Sequence, residues 1–145
     1  MHSSKPPFQD LPAARDAAIE AAVKQAALHL LAERDAECIL CYYASNPTVV
    51  SDGVLYPSFD SFAADIKAFY GSLRDVTRAT WDEMRVDVLS DKTAAFTGRF
   101  SWTSTDTVGE TTDLRGVWTA VFIRAKNRWK IKVRHESFAR GRDDA

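Results

Sequence analysis

Apolar residues recur at Ile19, Val23, Ala27, Leu30 and Leu31 in an Ala-rich segment, residues 13–34, that has neither Pro nor Gly. This is the stripe of an amphipathic helix, with Glu20 and Lys24 one turn apart on its wet side. Asp35 can accept the first amide hydrogens of a second helix. The spacing of Ile39, Leu40, Tyr42 and Tyr43 predicts that helix over 36–44, with Asn46-Pro47 stopping it. The β-branched run Thr48-Val49-Val50 then leads through Ser51-Asp52-Gly53 into Val54-Leu55-Tyr56, a short hairpin punctuated by Asp-Gly. Pro57-Ser58 opens a third helix carrying Phe59, Phe62, Ile66, Phe69, Tyr70 and Leu73, and Gly71 falls near its end.

After Val76 the period changes from helical to two. Residues 80–89 place Met84, Val86 and Val88 on one parity, Ser90-Asp91-Lys92 turns the chain, and Ala94, Phe96, Gly98, Phe100 and Trp102 continue the alternation. Residues 114–124 and 128–138 form a second pair of strands around Ala125-Lys126-Asn127, with Trp129, Ile131, Val133, His135 and Ser137 sharing a face. Helices first and long strands last, without βαβ alternation, predict an α+β domain: an antiparallel sheet covered on one face by helices. One domain is expected over 13–139, between a loose N-terminal arm at 1–12 and a loose tail at 140–145.

Composition narrows the function classes. With 46% apolar and 27% charged residues and only 6 Gly and 5 Pro in 145, the chain is neither fibrous nor disordered. Nineteen basic against twenty acidic side chains leave a net charge of -1, so no global field attracts nucleic acid or an anionic membrane. The alternating cations Arg124, Lys126, Arg128, Lys130, Lys132 and Arg134 read as a solvated face, the last three opposite Trp129 and Ile131. No signal-peptide core and no 18-residue uncharged apolar run occur. A soluble cytoplasmic protein, with no nucleic-acid and no membrane partner, is the expectation.

Cys38 and Cys41 lie mid-helix and the three histidines are scattered, which favours structural cysteines over a metal or redox site. Neither a Gly-x-Ser-x-Gly elbow nor a phosphate-binding Gly-rich loop is present, so no cofactor and no metal are expected. Tyr43, Tyr56, Tyr70 and Trp102 suit either a ligand-binding lining or plain core. If Trp129 and Ile131 face the helices, His135 points inward with them. Arg115 and Thr119 share the parity of Val117, Val121 and Ile123, and there Arg115 binds a ligand carboxylate or neutralises a buried acid. Trp118, Ala120 and Phe122 would then form an outer aromatic patch for a homodimer to cover.

The stretch from Asp35 to Ala44 leading into Pro47-Thr48-Val49-Val50, the segment Leu114-Arg115-Gly116-Val117-Trp118-Thr119, and Arg128-Trp129-Lys130-Ile131 followed by His135 and Ser137 carry a resemblance. Together they resemble the SnoaL-like branch of the nuclear transport factor 2-like superfamily, which also contains ketosteroid isomerase and scytalone dehydratase. Ser58 stands where relatives tend to have Gly, and Val133 where many have a second His. The resemblance implies a cone: three helices against a strongly curved, mainly antiparallel sheet, with a pocket at the open end and a homodimeric assembly. It also places Asp52 where the isomerase branch carries its proton-abstracting carboxylate, although Asp52-Gly53 is equally turn chemistry. The acids that stabilise the enolate there are not reproduced, Leu28 or His29 and Thr119 standing in their places. The leading expectation is a protein that binds a small, mainly apolar organic molecule. The alternatives are an isomerase, dehydratase or cyclase using Asp52 as base, His135 as partner and Arg115 or a tyrosine to stabilise negative charge, and a homodimeric association module.

Overall fold

A computed structural model describes residues 11–139. Three helices, α1 (Leu11–Ala32), α2 (Ala36–Leu40) and α3 (Phe59–Gly71), pack on one face of a six-stranded sheet. Its strands are β1 (Tyr43–Ser51), β2 (Val54–Leu55), β3 (Leu73–Ser90), β4 (Thr93–Asp106), β5 (Thr111–Ala125) and β6 (Arg128–Phe138), in the order β2-β1-β6-β5-β4-β3. All neighbours are antiparallel except β1 and β6, which run parallel. The α+β class and the helix-covered sheet are as the sequence predicts. The last two residues of the expected 1–12 arm belong to α1; residues 1–10 and the 140–145 tail lie outside the described residues. No helix among the described residues is long and apolar enough to cross a membrane.

Local chemistry explains the helix starts. Asp35 caps α2 by accepting from the amides of Glu37 and Cys38, and Ser58 opens α3 in a reciprocal capping box with Ser61. Ile19, Val23, Ala27 and Leu30, the predicted stripe, are buried against the sheet. On β4 the inner parity is Ala94, Phe96, Gly98, Phe100 and Trp102, also as predicted. The Trp81 ring lies over Gly98 and donates its indole N–H to the Ala27 carbonyl at 2.9 Å, pinning α1 to the sheet.

Two sequence expectations are corrected. The second helix ends at Leu40, and the first strand begins at Tyr43 and runs past Asn46-Pro47. Proline fits because β1 leaves the ladder there: the pairing jumps from Tyr43 to Thr48 and Asn46 adopts φ 49. Lys132 secures the excursion by donating to the carbonyls of Ser45 and Asn46 at 2.7 and 3.1 Å.

The second correction turns faces over. Trp118, Ala120 and Phe122 are buried under the helices, whereas Arg115, Val117 and Thr119 face outward. On β6 the pairing with β5 slips by one residue, Val121 opposing Val133 and Phe122 opposing Ile131. This bulge at Lys132 reverses the parity of everything after it. Ile131 is inward and fully buried, and so, beyond the bulge, is Arg134 at 7% exposure, while Val133 and His135 face out. Arg134 thereby leaves the solvated cationic stripe that the sequence assigned it to.

Candidate functional site

Between the helices and the inner sheet face lies a cavity of about 320 Å³. Aliphatic and aromatic side chains make most of its wall, including Ile39, Ile66, Phe100 and Trp118. Polar groups gather where β1 and β6 run side by side. Val49 pairs with Arg134 and Ser51 with Glu136, so the inward side chains of these positions form one cluster. The Arg134 guanidinium donates to Glu136 Oε1 at 2.5 Å, and the Ser51 hydroxyl donates to the same oxygen at 3.1 Å. Arg134 also lies over two rings, 5.2 Å from the Phe62 centroid and 5.6 Å from that of Trp118. Ala120, opposite Arg134 on β5, is small enough to leave the guanidinium room. Although burial opposes its charge, Tyr43 and Glu136 raise the Arg134 pKa above its ordinary value, and the side chain stays cationic.

Three tyrosines complete the polar lining. Burial pushes the Tyr43 phenol up, with the Arg134 charge opposing it. Burial likewise drives Tyr70 up to about 12. Tyr56 reaches about 12 mainly because its hydroxyl donates to Asp65 at 2.7 Å. All three are neutral phenols at physiological pH and keep their capacity to donate. Trp102 sits on the same wall, its indole N–H bonded to Ser104.

Of the residues singled out from sequence, Tyr43, Tyr56, Tyr70 and Trp102 line the cavity. Arg115, Thr119 and His135 do not, because they project from the exposed sheet face. Asp52 is also outside the lining. With φ 47 before Gly53 at φ 89, it forms the β1–β2 hairpin tip, in the primed geometry that Asp-Gly favours. Its amide donates to the Glu136 carbonyl at 2.7 Å and its carboxylate accepts from the Phe138 amide at 3.4 Å. The structure therefore does not bring Asp52, Arg115 and His135 together in the cavity. Cys38 and Cys41 are free and exposed, not core residues, and the Cys38 pKa is raised by desolvation and by the Asp35 and Glu33 carboxylates. Among the described residues, no cluster of His, Cys, Asp or Glu could hold a metal ion.

Sequence reasoning missed Arg134 and Glu136. Two residues apart on one strand, they had to share a face, and that pairing was the available signal; which face they share depends on the bulge.

A curved, mainly antiparallel sheet closed by three helices over an apolar cavity defines a cone-shaped α+β domain. The model of the SnoaL-like domain matches residues 19–141, and the chain belongs to that family. No curated protein matches it by sequence. Among solved structures it resembles a candidate scytalone dehydratase from Novosphingobium aromaticivorans, with a TM-score of 0.78, 14% identity and 88% of each chain covered. A candidate dehydratase of the NTF2-like family from Streptomyces avermitilis gives 0.70 and 17%, covering 82% of this chain and 95% of its own. The type 2 hexachlorocyclohexane dehydrochlorinase LinA gives 0.70 and 12%, covering 86% and 87%. At these identities the likeness is one of fold.

Proposed function

We infer that the protein binds a single small, mainly apolar organic molecule in the inner-face cavity. The supporting observation is the cavity itself: about 320 Å³, walled by aliphatic and aromatic side chains and supplied with a compact polar pole at Arg134, Glu136 and Ser51. That combination of apolar bulk and a few placed polar groups is what small-molecule sites share. Trp81, Trp102 and Trp118 line the space, so intrinsic fluorescence reports on its contents. Titration with naphthalene is expected to change tryptophan emission saturably at one site. Ile66→Trp, which fills the cavity from α3, should abolish the response, whereas Asp52→Asn should leave it unchanged. A linear, non-saturating response in wild type would refute the reading.

Acid-base catalysis at Asp52 draws less support, since the carboxylate is engaged at a hairpin tip. A homodimer draws support from a different surface than the sequence suggested: Val117 and Val133 are 40% and 39% exposed on the outer sheet face. A second copy placed there would cover them. Sedimentation at tens of micromolar should show a dimer, a range chosen for modest association, and Val117→Asp with Val133→Asp should yield a monomer. A wild-type monomer would overturn this assembly.

A further inference from the structure

We propose that Cys38 and Cys41 close a reversible intrachain disulfide that locks the last turn of α2. They are the chain's only cysteines, and both thiols are free and exposed. In a regular α-helix, side chains three residues apart have Cβ atoms about 5 to 6 Å apart, too far for a bond that needs about 3.5 to 4.5 Å. The end of α2 is not regular. The Cys41 amide donates to the Cys38 carbonyl as well as to that of Glu37, both at 3.2 Å, and the Tyr42 amide donates to the Ile39 carbonyl at 3.0 Å. With Cys41 at φ -67 and ψ -15, these three-residue steps wind the turn toward 3₁₀ geometry, in which side chains at i and i+3 eclipse. The two thiols therefore stand over one another on the exposed side of the turn. Desolvation and the carboxylates of Asp35 and Glu33 raise the Cys38 pKa and Cys41 adds to them, so the two sulfurs interact.

The remaining closure falls on the C-terminal side of the turn. The start of α2 is held by the Asp35 cap and by the ion pair of Glu37 with Lys67 on α3 at 3.1 Å, whereas Cys41 is the cap residue through which the chain leaves for β1. Ile39 lies between the two cysteines, buried and on the cavity wall, so a bond made at the surface fixes part of that wall whatever fills the cavity. So short a loop constrains little of the unfolded chain, and the closure it imposes favours reduction. The bond is a switch rather than a staple. Its co-reactant is a low-molecular-weight disulfide, RSSR. One cysteine thiolate attacks a sulfur of RSSR, forming a mixed disulfide and expelling RS⁻; the second thiolate attacks the protein sulfur of that adduct, closing the Cys38–Cys41 bond and expelling the other RS⁻. The two protons lost by the cysteines go to the two RS⁻, so the dithiol gives up two electrons and RSSR is reduced to two RSH.

The test treats the full chain with excess oxidised glutathione and reads intact mass, thiol titration and a non-reducing gel. Wild type should lose two hydrogens in mass and both titratable thiols, carry no glutathione and run as a monomer, and dithiothreitol should restore both thiols. Cys38→Ser and Cys41→Ser, each lacking the resolving thiol, should instead retain one glutathione. A wild type that keeps a glutathione adduct, forms a disulfide-linked dimer or leaves both thiols free would overturn the proposal. Hydrogen exchange tests the lock: the Cys41 and Tyr42 amides should exchange about tenfold or more slowly in the oxidised protein than in the reduced one. Equal rates with the bond formed would remove the lock and leave the disulfide standing.

Discussion

Arg134→Met is expected to lower the unfolding free energy by about 3 to 5 kcal/mol, the range for breaking a buried ion pair from one side. The loss does not come from the guanidinium's own contacts alone. Glu136, held by Arg134 and Ser51 at the inner face, would be left charged beside an apolar wall with only a hydroxyl to compensate it. The stacking of the guanidinium against Phe62 and Trp118 would go as well, though the Met side chain refills much of that space. Replacing both partners, Arg134→Met with Glu136→Leu, removes the stranded charge and should recover most of the loss. Urea unfolding followed by far-ultraviolet circular dichroism measures both variants, with a lower midpoint at unchanged slope as the expected form. A single variant within about 0.5 kcal/mol of wild type, the scatter of neutral surface changes, would mean that the pair is not buried in solution as described.

How much of this was legible beforehand follows from the range of the interactions involved. The α1 stripe, the Asp35 cap, the Ser58 start of α3 and the alternation on β4 depend on residues within a few positions of each other, and the chain states them directly. The β5 face was harder, because Trp118, Ala120 and Phe122 alternate with Val117, Val121 and Ile123 and both sets are apolar. Period two separates the faces without saying which one meets the helices. The β6 face was harder still. The bulge at Lys132 exists because β6 must match β5 on one side and the β1 excursion on the other, with Lys132 tied to Ser45 and Asn46. The β1 contacts reach across more than eighty residues, and no local pattern encodes them. The candidate site divided along the same line: the tyrosines and Trp102 were found by residue type, while the Arg134–Glu136 pole was hidden behind the parity reversal.

Gly98→Val should cost about 3 kcal/mol or more, the upper part of the range for overpacking a filled interior, and should disturb the cavity as well as the core. A Cβ at position 98 would lie 2.5 and 2.6 Å from two ring carbons of Trp81 and 2.7 Å from the Phe96 ring. Neither ring has an easy retreat. Trp81 packs edge-on to Phe96 with centroids 5.0 Å apart and lies 5.6 Å from Trp118, and its N–H is tied to the Ala27 carbonyl. The indole must therefore swing away from the sheet, breaking its bond to α1 and moving a cavity wall, since Trp81 is part of the lining. Gly98→Ala already introduces the clashing atom and should show the same effect in weaker form. Gly71→Ala, where an added Cβ meets nothing within 4 Å, is the control and should stay within about 0.5 kcal/mol of wild type. Removing the obstacle tests the cause: with Trp81→Leu in the background, Gly98→Val should cost far less than it does alone. Denaturation of the four proteins measures the coupling, and full additivity would show that something other than the Trp81 ring requires glycine at position 98.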